Sequence, residues 1–325
     1  MCFLILLLYL QIPDIYLHCV LSQLHYDTLL LNADSFILDF EYLIMSNRNY
    51  EGTFQGADGL ELYYQSWYPQ APARTVLVII PGHGAHSGIF TKMVEYLIER
   101  DYIVYSFDLR GNGRSPGQRG YINSWAEYRA DLTAFLDLVK SKEPQQQLFL
   151  IAQSMGGTIA LDYILQETNQ IQGLILLSPA LGLGISSWKL IVGKILSRIL
   201  PRFALDTGID CSAASRNPEA VEACRKDSLR HTQGTARLAT ELLETIEWIK
   251  AYTREIEVPI LILHGGADRV TLPENSRIFF ESLTLADKEM REYPDSYHEL
   301  HNDINYQEVL VDMDNWIKRH LPIQF

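Results

Sequence analysis

Three polar residues, far apart in the chain, have the types and order that acyl transfer needs. Ser154 lies in LFLIAQSMGGTIA (Leu148–Ala160), where an apolar run stops at Gln153-Ser154-Met155-Gly156-Gly157 and a helical pattern begins. A serine raised on the sharp turn between a strand and a helix is a nucleophile elbow. Such a turn demands small neighbours: Gly156, two residues on, sits where a side chain would collide with the strand, and Ala152, two residues back, adds only a methyl group. A serine hydroxyl needs a base, and a histidine base needs a carboxylate to orient it. Both follow. Asp268 stands in His264-Gly265-Gly266-Ala267-Asp268-Arg269, after the apolar strand Pro259–Leu263, and His298 stands in Pro294–Glu299, after Glu292-Tyr293. An oxyanion hole takes two N–H donors. The backbone of Met155 supplies one, at the helix N-terminus, and the glycine-rich loop Pro81–Gly88 is the source of the second.

Each side chain has a plainer reading beside it. Asp268 would also serve as a helix cap. His301 is the rival base to His298, His264 sits at a strand end and is assigned to supporting its loop, and Asp295 and Glu299 are assigned to solvent. The order Ser, Asp, His on three separate post-strand loops favours the chemical reading of the set over the bland reading of each member.

The elements that must position these residues alternate. Tyr50–Tyr68 reads as a hairpin turning at Gly56-Ala57-Asp58-Gly59, with Leu60, Leu62 and Tyr64 alternating against Glu61, Tyr63 and Gln65. Thr75–Ile80, Tyr102–Phe107, Leu148–Ala152, Gly173–Leu177 and Pro259–Leu263 are short, wholly apolar strands of the kind buried in a parallel sheet. Between them fall helical patterns at Thr91–Arg100, around Trp125–Val139, at Pro273–Ser282 and at Asn305–His320. The expectation is an α/β fold with a mostly parallel central sheet and helices on both faces, its functional groups gathered at the strands' carboxyl ends. From about residue 182 to 252 no strand pattern is visible, and helices broken at Pro201, Pro218 and Gly234 are expected to form a cap. Within it Trp188, Ile191, Val192, Ile195, Leu196, Ile199 and Leu200 make one apolar stripe, opposite Lys189, Lys194 and Arg198. The stripe belongs either in the core or, if exposed, in lipid, which would make the protein peripheral at a membrane. Trp188, Ile191 and Ile195 are its candidate substrate contacts.

Residues 1–47 differ from the rest: they hold no Lys or Arg, and the first basic residue is Arg48. The apolar run Cys2–Leu10 is too short to span a bilayer, and a secretory signal's positive start is missing. A membrane-associating extension, a helical addition and translated upstream sequence all fit; the last, with a natural start at Met45, is favoured. The α/β unit carrying these residues is expected over 48–325. A net charge of −13 argues against nucleic acid as a partner. Four cysteines form no dense framework, so a reducing, cytoplasmic location is the expectation, with pairing of Cys211 and Cys224 left open. No Cys/His cluster calls for a metal, and the chemistry needs no cofactor.

Taken together, PGHGAHSG, FDLRGNGRSPGQRG, AQSMGG, HGGADR and YHELHND resemble, in order and spacing, the monoacylglycerol lipase and lysophospholipase branch of the α/β-hydrolases, from about residue 50 to the C-terminus. The resemblance implies Ser154 as nucleophile, Asp268 as acid and His298 as base. It places the backbone N–H of His83 beside that of Met155 in the oxyanion hole, and implies a cap enclosing an apolar acyl-chain tunnel. The activity implied is hydrolysis of single-chain lipid esters. A general esterase, a peptidase or a non-catalytic ligand-binding relative are the alternatives. Two departures stand out: Pro81-Gly82 where the family has His-Gly, and Ala152-Gln153-Ser154 where it has Gly-His-Ser. Asp108, in DLRGNGRS, reads as a holder of that loop.

Overall fold

The computed structural model describes residues 49–167, 171–182 and 187–321, without the side chains of 187–191. The expectations for residues 1–47, and for the Trp188 and Ile191 side chains, fall outside this set.

An eight-stranded sheet organises the chain. In chain order its strands are β1 (Asn49–Gln55), β2 (Glu61–Trp67), β3 (Thr75–Ile80), β4 (Tyr102–Phe107), β5 (Leu148–Gln153), β6 (Gly173–Leu177), β9 (Ile260–Gly265) and β10 (Lys288–Tyr293). Across the sheet they run β1-β2-β4-β3-β5-β6-β9-β10. The β1–β2 and β2–β4 pairings are antiparallel, and every pairing from β4 to β10 is parallel. The apolar strands are buried along their whole length because both faces are covered. The two-residue period sorts them: Val76, Val78 and Ile80 join one core with Phe135, Leu150 and Ile159, while Leu77 and Ile79 join the other with Met93, Phe149 and Trp316. The helices α1 (Thr91–Ile98) and α8 (Tyr306–His320) cover the second face; α2 (Ala126–Lys142) and α3 (Met155–Gln166) contribute to the first, which α7 (Pro273–Ser282) joins through Phe279.

Between β6 and β9 lie α4 (Ser187–Ile199), β7 (Ala204–Asp206), α5 (Pro218–Lys226), β8 (Gln233–Thr235) and α6 (Ala236–Ala251). The sequence pattern anticipates no strand here, yet β7 and β8 pair antiparallel, Leu205 opposite Gly234. At three residues each, they are too short to carry an alternating pattern. Thr235 caps α6 by accepting from Leu238 N at 3.1 Å, and the buried Leu238, Leu242, Ile246 and Ile249 join the main core. Cys211 and Cys224 form a disulfide, closing the pairing that their spacing alone leaves open. Val192, Ile195, Ile199, Leu200, Phe203 and Leu205 are all exposed. Among the described residues no helix is long and apolar enough to cross a membrane, and no group of three or more His, Cys, Asp or Glu could hold a metal ion.

Candidate active site

Ser154 follows β5 directly, with φ 55° and ψ −123°, and α3 begins at the next residue. A non-glycine residue at positive φ is strained and needs its surroundings to hold it there. They do so: Ser154 N donates to Leu177 O at 3.0 Å, and Ser154 O accepts from Gly157 N and Ala180 N. A Cβ on Gly156 would stand 2.4 Å from Ile80 O and 2.6 Å from Pro81 O, so the turn closes only with glycine there. The first N–H groups of α3, that of Met155 among them, have no partner within the helix.

The loops after β9 and β10 lie back to back. A Cβ on Gly265 would meet Ser296 O at 2.4 Å, and one on Gly266 would meet Pro294 O at 2.7 Å. Gly266 N donates to Tyr293 O and Ala267 N to Ser296 O. The Gly-Gly pair therefore allows Asp268 to approach His298, whose Nδ1 lies 2.7 Å from Asp268 Oδ2. Asp268 Oδ1 accepts from the backbone N–H of Val270 at 2.7 Å and Thr271 at 3.1 Å. Burial pushes the Asp268 carboxyl up, but electrostatic attraction to the His298 ring and hydrogen bonds from His264 and His298 outweigh it and hold it well below the ordinary carboxylate range. A charged Asp268 favours the His298 tautomer with its proton on Nδ1 and its lone pair on Nε2, where Gln153 Nε2 lies 3.1 Å away. Thr271, which pattern reading does not single out, completes this group. Its hydroxyl lies 2.9 Å from Asp268 Oδ2, 3.1 Å from His298 Nδ1 and 3.0 Å from Ser178 O. His264 is buried with Nε2 2.9 Å from Thr271 O and Nδ1 2.8 Å from Ser276 Oγ, a support for the loop. His301 is fully buried against Phe90, with neither ring nitrogen partnered, and does not line the cavity at Ser154.

The loop after β3 runs beside the elbow. A Cβ on Gly82 would stand 2.8 Å from Ser154 Cβ and 2.5 Å from Gln153 Oε1. The next residue, His83, meets His231 edge to face with ring centroids 5.2 Å apart, and neither of its nitrogens has a partner. Burial pushes its pKa down to about 4, so the ring is neutral at pH 7. Asp108 binds this loop through Ser87 N at 2.7 Å and its own loop through Arg114 N at 2.8 Å, and takes no place in the cavity.

A cavity of about 300 Å³ opens over Ser154 and His298. Its far wall comes from the segment between β6 and β9, including Ile209, Ala214, the Cys211–Cys224 disulfide, Arg225, Asp227, Arg230 and His231. This wall is mixed rather than the apolar tunnel that the resemblance implies. Ile195 is 51 % exposed and does not line it. The wall is tied to the loops below. His86 Nε2–H donates to Asp227 Oδ2 at 2.7 Å, His231 N donates to Gly84 O at 3.2 Å, and Arg216 donates to Asp303. Arg230 pairs with Glu299. Glu299 is 5 % exposed, which corrects the expectation that it is solvated; Asp295 is exposed as expected. Burial pushes the Glu299 carboxyl up, and the Arg230 charge and its hydrogen bond bring it down to about 2.

A parallel sheet with an elbow serine and post-strand acid and histidine loops defines the α/β-hydrolase fold. Comparison with known proteins narrows the class. Residues 71–305 match the model of the family described as serine aminopeptidase, S33, and the chain belongs to that family. It is similar to the monoacylglycerol lipase of Mycolicibacterium smegmatis, 27 % identical over 281 residues that cover 86 % of this chain and 100 % of the other. It is 32 % identical to the phospholipase YtpA of Bacillus subtilis over 248 residues, 75 % of this chain and 95 % of that one. The crystal structure of Paleococcus ferrophilus monoacylglycerol lipase superposes with a TM-score of 0.73 at 32 % identity, covering 80 % of this chain and all of that one. Within its family the chain thus sides with carboxylic ester hydrolases.

Proposed function

We propose that this protein hydrolyses esters of single-chain lipids, monoacylglycerols or lysophospholipids, through an acyl-enzyme on Ser154. His298 takes the Ser154 proton as Oγ attacks the ester carbonyl. The backbone N–H groups of His83 and Met155 receive the oxyanion, and His298 then protonates the departing alcohol. Water repeats the sequence and frees the fatty acid. The observation that carries this reading is His298 held at 2.7 Å by a charged, buried Asp268, at the edge of the cavity containing Ser154. The names of the relatives support the lipid ester. The exposed stripe of Val192, Ile195, Leu196 and Ile199 supports a cap that dips into a membrane surface to collect substrate.

A peptidase of the same fold is the second reading, favoured by the charged residues in the cavity wall. Covalent labelling by a fluorophosphonate, lost in Ser154→Ala, tests the nucleophile. A panel of monoacylglycerols, lysophospholipids, short soluble esters and aminoacyl amides then separates substrate classes. Absence of labelling in the folded wild type would defeat the enzymatic reading, and preference for the amides would favour the second.

A further inference from the structure

The lone pair that the proposed base must use is already taken. Gln153 Nε2 lies 3.1 Å from His298 Nε2, and since Nδ1–H faces Asp268, the amide N–H is the donor to Nε2. Among the described residues the hydrogen-bond partners of the His298 ring are Gln153, Thr271 and Asp268, and Ser154 Oγ is not one of them. Gln153 is not free to drift. It is 3 % exposed, its backbone pairs with Leu177 within the sheet, and its Oε1 occupies the place a Cβ on Gly82 would need. The amide thus spans from the base to the loop expected to hold the oxyanion.

We infer that Gln153 is a positioning residue that latches the base in the resting enzyme: its amide holds His298 Nε2 in place of Ser154 Oγ, and Ser154 is activated only when the amide lets go. The inference rests on the proposed roles of Ser154 and His298. The step it controls is a single proton transfer, from Ser154 Oγ to His298 Nε2, as the bond from Oγ to the carbonyl carbon forms. Ordinary amide hydrogen bonds are weak enough to exchange, so a substrate filling the cavity can displace this one. Until then the latch lowers the share of molecules in which Ser154 faces an unoccupied base.

The experiment compares the rate of fluorophosphonate labelling in wild type, Gln153→Met and Gln153→Glu, with melting curves recorded for each. Methionine has nearly the length of glutamine and cannot donate. Losing one such hydrogen bond should raise the labelling rate of the substrate-free enzyme about fivefold. Glutamate cannot donate to neutral Nε2 but accepts from the imidazolium, so it keeps the proton on the base. Labelling of Gln153→Glu should fall at pH 7 and recover as pH rises, whereas a purely structural defect would lower it equally at every pH. An unchanged or slower rate in folded Gln153→Met overturns the latch. Should Gln153→Met not fold, Gln153→Glu decides alone: a loss independent of pH, or no loss, overturns it. A wild type that does not label at all would instead remove the serine-hydrolase reading on which the latch rests.

Discussion

Arg230→Met should destabilise the protein by about 3–5 kcal/mol at pH 7, because it strands a buried carboxylate beside the proposed base. Arg230 reaches Glu299 from the segment that walls the cavity, and Glu299 directly follows His298. The Glu299 side chain is 7 % exposed and that of Arg230 16 %, so solvent screens the pair little. Glu299 is held at about 2 against an ordinary 4.5. At about 1.4 kcal/mol per tenfold change in affinity for the proton, this difference corresponds to about 3–4 kcal/mol of stability. A carboxyl lowered on folding contributes fully above its unfolded value and loses that contribution as pH falls through its folded value. The wild type should therefore weaken between about pH 4.5 and 2 on account of this group. Arg230→Met should lose its stability at pH 7, and the gap to wild type should narrow below pH 4, where protonated Glu299 no longer misses a partner. Glu299→Gln leaves no stranded carboxylate and should cost less, and adding it to Arg230→Met should recover part of the loss. Urea unfolding followed by tryptophan fluorescence at pH 7 and pH 3.5 measures all four proteins. A loss under 1 kcal/mol for Arg230→Met at pH 7, or an equal loss at both pH values, would refute the reasoning.

Asp268→Asn should keep the fold and lower kcat on a short ester by about 10⁴-fold, because an amide cannot keep His298 in the required tautomer; a loss below tenfold would remove Asp268 from the proposed mechanism. His301→Phe should label with a fluorophosphonate at close to the wild-type rate, since the His301 ring packs on Phe90 with no hydrogen bond to lose, while His298→Ala should abolish labelling. The reverse pattern would make His301 the base. Exchanging Ile195 and Ile199 together for Asp should reduce hydrolysis of monoacylglycerol in vesicles by on the order of tenfold or more and leave a short soluble ester unaffected. Equal loss on both substrates would show that the stripe serves folding rather than lipid contact.

What could be read in the sequence, and what could not, divides by the range of the physics involved. Strands such as Thr75–Ile80, Tyr102–Phe107 and Gly173–Leu177 have the bounds expected of them, because a wholly apolar run of that length admits few other homes. The elbow is legible for another reason: the turn from strand to helix tolerates only small residues around its serine, and Gly156 shows that requirement in the sequence although the carbonyls that enforce it, Ile80 O and Pro81 O, come from the end of the neighbouring strand. Partners separated by many residues left no such trace. The bond between Gln153 and His298 joins positions 145 apart, His86 and Asp227 are 141 apart, and Arg230 and Glu299 are 69 apart. Glu299 looked solvated because a carboxylate in a polar loop usually is, and only the folded chain brings an arginine to it. The same division explains the cavity. An apolar stripe on α4 was visible at helical spacing, but spacing does not tell which side of a helix faces the site, and Ile195 faces away from it. The wall is built instead from Ile209, Arg225, Asp227 and Arg230, in a stretch of chain held by a disulfide and ion pairs. The proposed chemistry at Ser154 is thus legible through turns that tolerate few residues. The wall above it is held by long-range polar contacts such as the Arg230–Glu299 and His86–Asp227 pairs.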